Sequence, residues 1–240
     1  MINSKIFSFN DKVGLSFDKS LTDCQDHCDY YNSKVCYAKN NPQNNINPGY
    51  KRKLKSNDQF MHSDNFVQIC SRELKRLNAQ RIRFFSSGDF DHVSKKGLKE
   101  IGNLFKLCLK NTHNQFCVFT RNFEVLHQYI KEEKNEIPYN LIIIFSDPLF
   151  VNNDNKLKKI DIHPFIKDFI KNTPGIKRET STADPKKSNC AASVNGLSCF
   201  ENNCFSCFEE KNEKMIIMIH GKHNLTRLEK WRSKIEINGI

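Results

Sequence analysis

Asn140-Leu141-Ile142-Ile143-Ile144-Phe145-Ser146-Asp147-Pro148 is the stretch on which the fold turns. Its apolar run is strand-sized and shows no alternation with polar residues, so it lacks the pattern of a strand with one wet face. A strand covered on both faces reads this way, as strands of parallel sheets flanked by helices do. Ser146-Asp147-Pro148 then ends it with turn-forming residues.

Outward from this strand the pattern alternates. Upstream, 81–85 and 115–119 read as strands, separated by a helix over 93–110 with Ile101, Leu104, Phe105 and Cys108 at helical spacing. Asn122 is placed to cap a helix running through Phe123, Leu126 and Ile130. Farther upstream, a helix over 58–77 carries Val67, Cys70, Leu74 and Leu77 on one face, and 13–17 is an opening strand. Downstream come a helix over 163–171, strands over 176–180 and 215–219, and a closing helix over 225–235. Two loops interrupt the series. One is the polar connector 40–49, with Pro42, Pro48 and Gly49; the other is the cysteine-rich stretch 182–207.

Strand–helix alternation with short links implies βαβ units and a parallel sheet, open or partly closed into a barrel. Sites in such folds lie beyond the carboxyl ends of the strands. Five strand ends deliver small polar or ionisable groups there: Ser86-Ser87-Gly88-Asp89, Thr120-Arg121-Asn122, Ser146-Asp147-Pro148, Thr180-Ser181-Thr182 and His220.

Bulk composition narrows the class. The chain has 240 residues, 38% of them hydrophobic and 19 of them Phe, which suits a globular protein with a sizeable core. No run of eighteen apolar residues exists, and Met1 to Lys5 do not open a secretory signal, so a cytoplasmic protein without a membrane span is expected. The net charge of +11 points to anionic partners, a nucleotide or nucleic acid among them, or else to a solvated lysine-rich surface.

Ten cysteines in a chain of this kind point to metal or catalytic use rather than disulfides. Cys24, Cys28 and Cys36, spaced Cys-x3-Cys-x7-Cys, lie in the loop after the opening strand. Three thiolates there suit three irons of a [4Fe-4S] cluster with the fourth open, or three ligands of a zinc site completed by His27 or a distant residue. Cys190, Cys199, Cys204 and Cys207, spaced Cys-x8-Cys-x4-Cys-x2-Cys, form a second set in a segment poor in apolar residues. Zinc or a second cluster would staple that segment, since metal-binding energy becomes folding energy. Cys70, Cys108 and Cys117 fall on apolar faces and read as core.

With Cys24, Cys28 and Cys36-Tyr37-Ala38, then Arg83-Phe84-Phe85-Ser86-Ser87-Gly88-Asp89-Phe90, the chain resembles the phage gene product 88 family. Phe119-Thr120-Arg121, Ser146-Asp147-Pro148, and Cys204-x2-Cys207-Phe208 leading to His220 extend the resemblance over roughly 5–220. That family is in turn similar to radical S-adenosylmethionine (SAM) enzymes. The resemblance implies a partial (β/α)6 barrel over 1–182, followed by a cysteine-rich C-terminal segment over 183–240 with the final strand and helix. It also implies an open [4Fe-4S] cluster at the first cysteine loop, chelating SAM, whose reductive cleavage yields a 5′-deoxyadenosyl radical. Ser87, Gly88 and Asp89 would meet the SAM amino group, with Thr120, Arg121, Ser146 and Asp147 completing the cofactor site. The superfamily spacing is Cys-x3-Cys-x2-Cys, so the loop is longer in this chain.

Each residue has a plainer role to set beside the functional one. Asp89 is also good Asx-turn material, Arg121 either grips an anion or pairs with a helix acid, and Asp147 before Pro148 is a natural turn residue. His220 is a metal ligand, an acid/base or a hydrogen-bonded structural histidine. His62, His92, His113 and His127 show no partner pattern. Three readings follow: a radical-SAM-like iron–sulfur protein acting on an anionic substrate; a zinc-stapled nucleic-acid-binding phage-type protein without catalysis; and a metal-dependent hydrolase built on Asp89, Asp147 and His220.

Overall fold

The computed structural model describes residues 4–10, 14–24, 36–40, 47–146, 149–151, 157–159, 164–182, 202, 206–209 and 214–218. Its centre is a mostly parallel sheet whose strands follow chain order. The strands are β1 (Ser8–Asn10), β2 (Gly14–Phe17), β3 (Arg81–Phe84), β4 (Gln115–Thr120) and β5 (Leu141–Ser146), then β8 (Ile176–Thr182) and β9 (Lys214–Met218). Only β1 is antiparallel, pairing Phe9 with Leu15 of β2; the other neighbours run parallel from β2 to β9. Between β5 and β8 lies a separate hairpin, β6 (Leu149–Val151) and β7 (Leu157–Lys159), that alternation alone does not foretell. The last strand, grouped above with 183–240, joins the same sheet as the strands before 182.

The opening stretch behaves as its apolar run requires. All six residues of β5 are buried, and alternate ones belong to different cores. Leu141, Ile143 and Phe145 join Phe17, Ile82, Phe84, Phe116 and Val118 in the main cluster, packed against the helices. Ile142 and Ile144 join Cys117 on the opposite face, under Phe119, Cys207 and Phe208. Phenylalanines dominate the first layer: Phe17 stacks on Phe84 at 5.1 Å and meets Phe66 edge-on at 5.5 Å. Full burial of each such ring contributes roughly 1.5–3 kcal/mol.

The crossovers supply the helices α1 (Tyr37–Asn40), α2 (Pro48–Phe60), α3 (Phe66–Arg76), α4 (Ser94–Lys110), α5 (Phe123–His127) and α6 (Pro164–Lys171). The helix expected over 58–77 is two helices. Pro48 and Gly49, read as loop residues, instead open α2: Asn47 caps it, its Oδ1 accepting the Tyr50 N–H at 3.1 Å, and proline suits the first turn. The chain then breaks at 61–65, where Met61 is fully buried and Asn103 Nδ2 donates to its carbonyl at 2.8 Å. Asn122 caps α5 as expected, accepting from Val125 N–H, and a π turn over Gln128–Glu132 continues it. The helix expected over 225–235 lies outside the described residues. No helix among the described residues is long and apolar enough to cross a membrane.

Candidate functional site

The carboxyl ends of β2, β3 and β4 meet in one braced rim. Strand β3 ends at Phe84 because Phe85 takes a left-handed conformation, φ +64°, with its N–H held by the Phe17 carbonyl at 2.9 Å. A bulky residue rarely adopts that backbone, and such strain persists only where surroundings fix it. The fixing group is Asp18, just past β2. Its Oδ1 accepts the N–H groups of Ser86 (2.8 Å) and Ser87 (3.2 Å), and its Oδ2 accepts the Ser16 and Tyr50 hydroxyls at 2.8 and 3.3 Å. Burial pushes the Asp18 carboxyl above the ordinary carboxylate range, against these hydrogen bonds and the nearby Arg83 charge.

Gly88 follows with φ +88°. A β-carbon there would stand 2.6 Å from Lys19 Cβ and 2.9 Å from the Ser20 carbonyl oxygen. The close backbone approach that the glycine permits is therefore made by the chain leaving β2 toward Cys24. Lys19 N–H donates to the Ser87 carbonyl at 2.9 Å, and Ser20 binds Asp58 of α2 through both its N–H and its hydroxyl.

Asp89 ties the β3 end to the β4 end. Its Oδ1 accepts from Thr120 Oγ1 (2.6 Å) and Phe90 N–H (2.7 Å), and its Oδ2 accepts from Arg121 N–H (2.8 Å). Burial also raises its carboxyl pKa, with these donors opposing. Thr120 pairs with Phe145 in the β4–β5 ladder, so Ser146 lies at the next step of the same rim. Five of the expected cofactor contacts, Ser87, Gly88, Asp89, Thr120 and Arg121, thus form one hydrogen-bonded or adjoining set, with buried Ser146 beside it. Asp147 and His220 lie outside the described residues.

Beneath the rim sits a charged group that sequence reasoning passed over. Lys19 and Glu100 are 1% and 0% exposed and paired at 2.5 Å. Lys19 Nζ also donates to the Asp89 carbonyl at 3.0 Å, and Glu100 Oε2 accepts the Asp91 N–H at 2.7 Å. His62, given no role above, stands with Nε2 2.7 Å from Glu100 Oε1; burial and the Lys19 charge lower its pKa. An Asp-Lys pair directly behind a buried strand was the one legible signal.

Cys24 is buried in a 3-10 turn, Thr22–Cys24, that leaves this rim, and Cys36 precedes α1 with its Sγ accepting the Lys39 N–H at 3.5 Å. That bond, three residues along at the start of a helix, is the geometry of an N-terminal cap. Cys28, Cys190, Cys199 and Cys204 lie outside the described residues. Among the described residues, no three His, Cys, Asp or Glu side chains gather as metal ligands. Cys207 is described, in the turn Ser206–Phe208, and it packs on the sheet face opposite the helices. Lys177 Nζ holds that turn through the Ser206 carbonyl at 2.9 Å. Cys70, Cys108 and Cys117 are buried core, and burial drives the Cys70 and Cys108 thiol pKa values upward, away from ligand or nucleophile chemistry.

These features define a mostly parallel α/β protein in which Cys24 leaves a braced carboxyl rim. The chain belongs to the gene product 88 family of phage proteins, whose model matches residues 4–210. No curated protein matches the chain, and no solved structure does.

Proposed function

We propose that this chain is an iron–sulfur protein similar to radical SAM enzymes, on a sheet of the partial (β/α)6 barrel type. One observation carries the reading: Cys24, the first of the Cys24, Cys28 and Cys36 set, follows the carboxyl end of the first of six parallel strands that follow chain order. Those three cysteines would hold three irons of a [4Fe-4S] cluster, which supplies one-electron reduction of SAM when bound. The chain's own part is positional. Asp18 and Gly88 fix the chain leading to Cys24, and Asp89 holds Thr120 and the Arg121 backbone in register with Ser87. The Arg121 guanidinium and the Ser146 and Asp147 groups then complete the SAM site, for an anionic substrate such as a nucleotide or nucleic acid. The cysteines at 190, 199, 204 and 207 would form a separate auxiliary cluster or zinc site, with His220, farther along the chain, as a further candidate ligand.

Protein purified without oxygen is expected to be brown and to contain iron and acid-labile sulfide. Under a strong reductant it converts SAM to 5′-deoxyadenosine, and Cys24→Ser with Cys28→Ser and Cys36→Ser abolishes both properties. Colourless protein holding only zinc would sink this reading in favour of a zinc-stapled nucleic-acid-binding protein.

A further inference from the structure

Three cavities run along the opposite, amino-terminal edge of the sheet and join through shared residues. The first, about 250 Å³, lies between the starts of β2 and β3 and is bounded by Phe9 and Arg81. The second, about 400 Å³, shares Gln80 and Arg81 with it and reaches His113, Tyr139 and Phe208. The third, about 510 Å³, shares Ile142 with the second and continues past Lys167, Lys171 and Arg178. Together they cross the starts of β2, β3, β4, β5 and β8, four interstrand gaps of about 4.8 Å each, or about 19 Å of groove.

The lining is one-signed. Arg81, His113, Lys167, Lys171 and Arg178 contribute basic groups, and among the described residues that line the three cavities none is a carboxylate. Two exposed aromatics interleave with them: Phe9, 55% exposed, and Tyr139, 74% exposed. The Tyr139 hydroxyl donates to the Thr112 carbonyl at 3.3 Å, which holds the ring in place while leaving it open to solvent. Asn114 and Asn140 line the middle cavity with amides of fixed orientation. Asn114 Nδ2 donates to the Ala79 carbonyl, and Asn140 Nδ2 donates to the carbonyls of Cys108, Asn111 and Asn114. Each Oδ1 is a buried acceptor without a hydrogen-bond partner among the described residues, so these amides brace the floor of the groove and are not offered to its occupant.

Basic groups that follow a phosphate backbone, with aromatic faces between them for bases to stack on, are the recognition chemistry of single-stranded nucleic acid. We infer that the amino-terminal edge, from Phe9 through Tyr139 to Lys171, binds single-stranded nucleic acid. This goes beyond the cluster chemistry proposed for the carboxyl rim and does not depend on it.

The test is fluorescence anisotropy of the full-length protein with labelled oligonucleotides of about 12 nucleotides, single-stranded and duplex. Single strands are expected to bind more tightly than the duplex, with affinity falling between about 50 and 200 mM salt at a log–log slope of about −3, the value for four neutralised phosphates. Tyr139→Ala lowers affinity roughly tenfold, as loss of one stacking face does. Lys167→Glu with Lys171→Glu weakens binding at least about tenfold and flattens the salt slope by more than about one. The control, Lys55→Glu with Lys95→Glu on exposed positions of α2 and the start of α4, changes net charge equally and leaves binding nearly intact. Absence of binding at low salt, equal losses in control and groove variants, or duplex preferred with Tyr139→Ala silent would each overturn the inference. Anisotropy reads binding, so the result stands apart from the iron content of the sample.

Discussion

Asp18 accepts four hydrogen bonds, two of them from the backbone of a strand end 68 and 69 residues away in sequence. Its pKa is raised from the ordinary 3.8 by burial, so the folded chain binds this proton more tightly than the unfolded one. The stability this carboxyl adds is therefore complete below about pH 3.8 and is lost as pH rises through the folded-state value. Asp18→Asn keeps an acceptor for Ser86 and Ser87 and turns its amide toward two hydroxyls that can accept. Its stability relative to the parent is expected to improve from pH 4 to pH 8 in urea denaturation, whereas Asp18→Ala, which also loses the acceptor, destabilises by about 2–4 kcal/mol at pH 4 and by less at pH 8. A difference between Asn and parent that ignores pH would refute the assignment. In the sequence it is marked only as the first of the Asp18-Lys19 pair behind a strand. It follows an apolar strand as any turn acid does, and only the arrival of Ser86 and Ser87 makes it a brace. Asp89 was legible as both turn former and rim residue; the structure shows the brace, and the backbone of Arg121 is what it holds.

At the scale of elements, the break between α2 and α3 serves the Lys19–Glu100 pair. A single helix over 58–77 would carry residue 62 past Glu100 on a continuous rod. The turn at 61–65 instead buries Met61 and brings the His62 imidazole to 2.7 Å from Glu100. Glu100 on α4 thus joins Lys19 after β2, Asp91 after β3 and the α2–α3 turn. Removing one partner of a buried pair leaves a charge uncompensated, so Glu100→Gln is expected to cost about 3–5 kcal/mol in chemical denaturation. Lys19→Met added to Glu100→Gln recovers at least half of that loss, and strictly additive effects would show that the pair is not coupled. Helical periodicity found α4, and short apolar runs found the parallel strands among the described residues, because strands covered on both faces are apolar throughout. It did not find the α2–α3 break or the start of α2. Those depend on Asn47 capping and on what Met61 packs against, which leave no periodic trace.

Across the whole molecule the two ends of the sheet differ, with the braced rim and Cys24 at the carboxyl end and a basic groove at the amino edge. The turn Ser206–Phe208 lies on the sheet face opposite the helices, with Phe208 at the middle cavity of that groove. If the C-terminal cysteines are stapled by metal, its removal loosens this covering first. Cys204→Ser with Cys207→Ser is expected to lower Tm by several degrees, about 2–4 °C for each kcal/mol lost. Amide exchange should quicken in β9 while β3, β4 and β5 keep their protection. Uniform loss of protection would mean instead that the segment is integral to the central core. The sequence by itself determined the mostly parallel α/β class, where the main strands lie along the chain, and that Cys70, Cys108 and Cys117 are core. Each follows from local periodicity and burial, written into neighbouring residues. Only the tertiary structure decided that Asp18, Lys19, His62 and Glu100 brace the rim, and that Arg81, Tyr139 and Lys171 share one groove. These groups are joined across tens of residues by strand register and crossover, which fix distances in space that spacing along the chain does not encode.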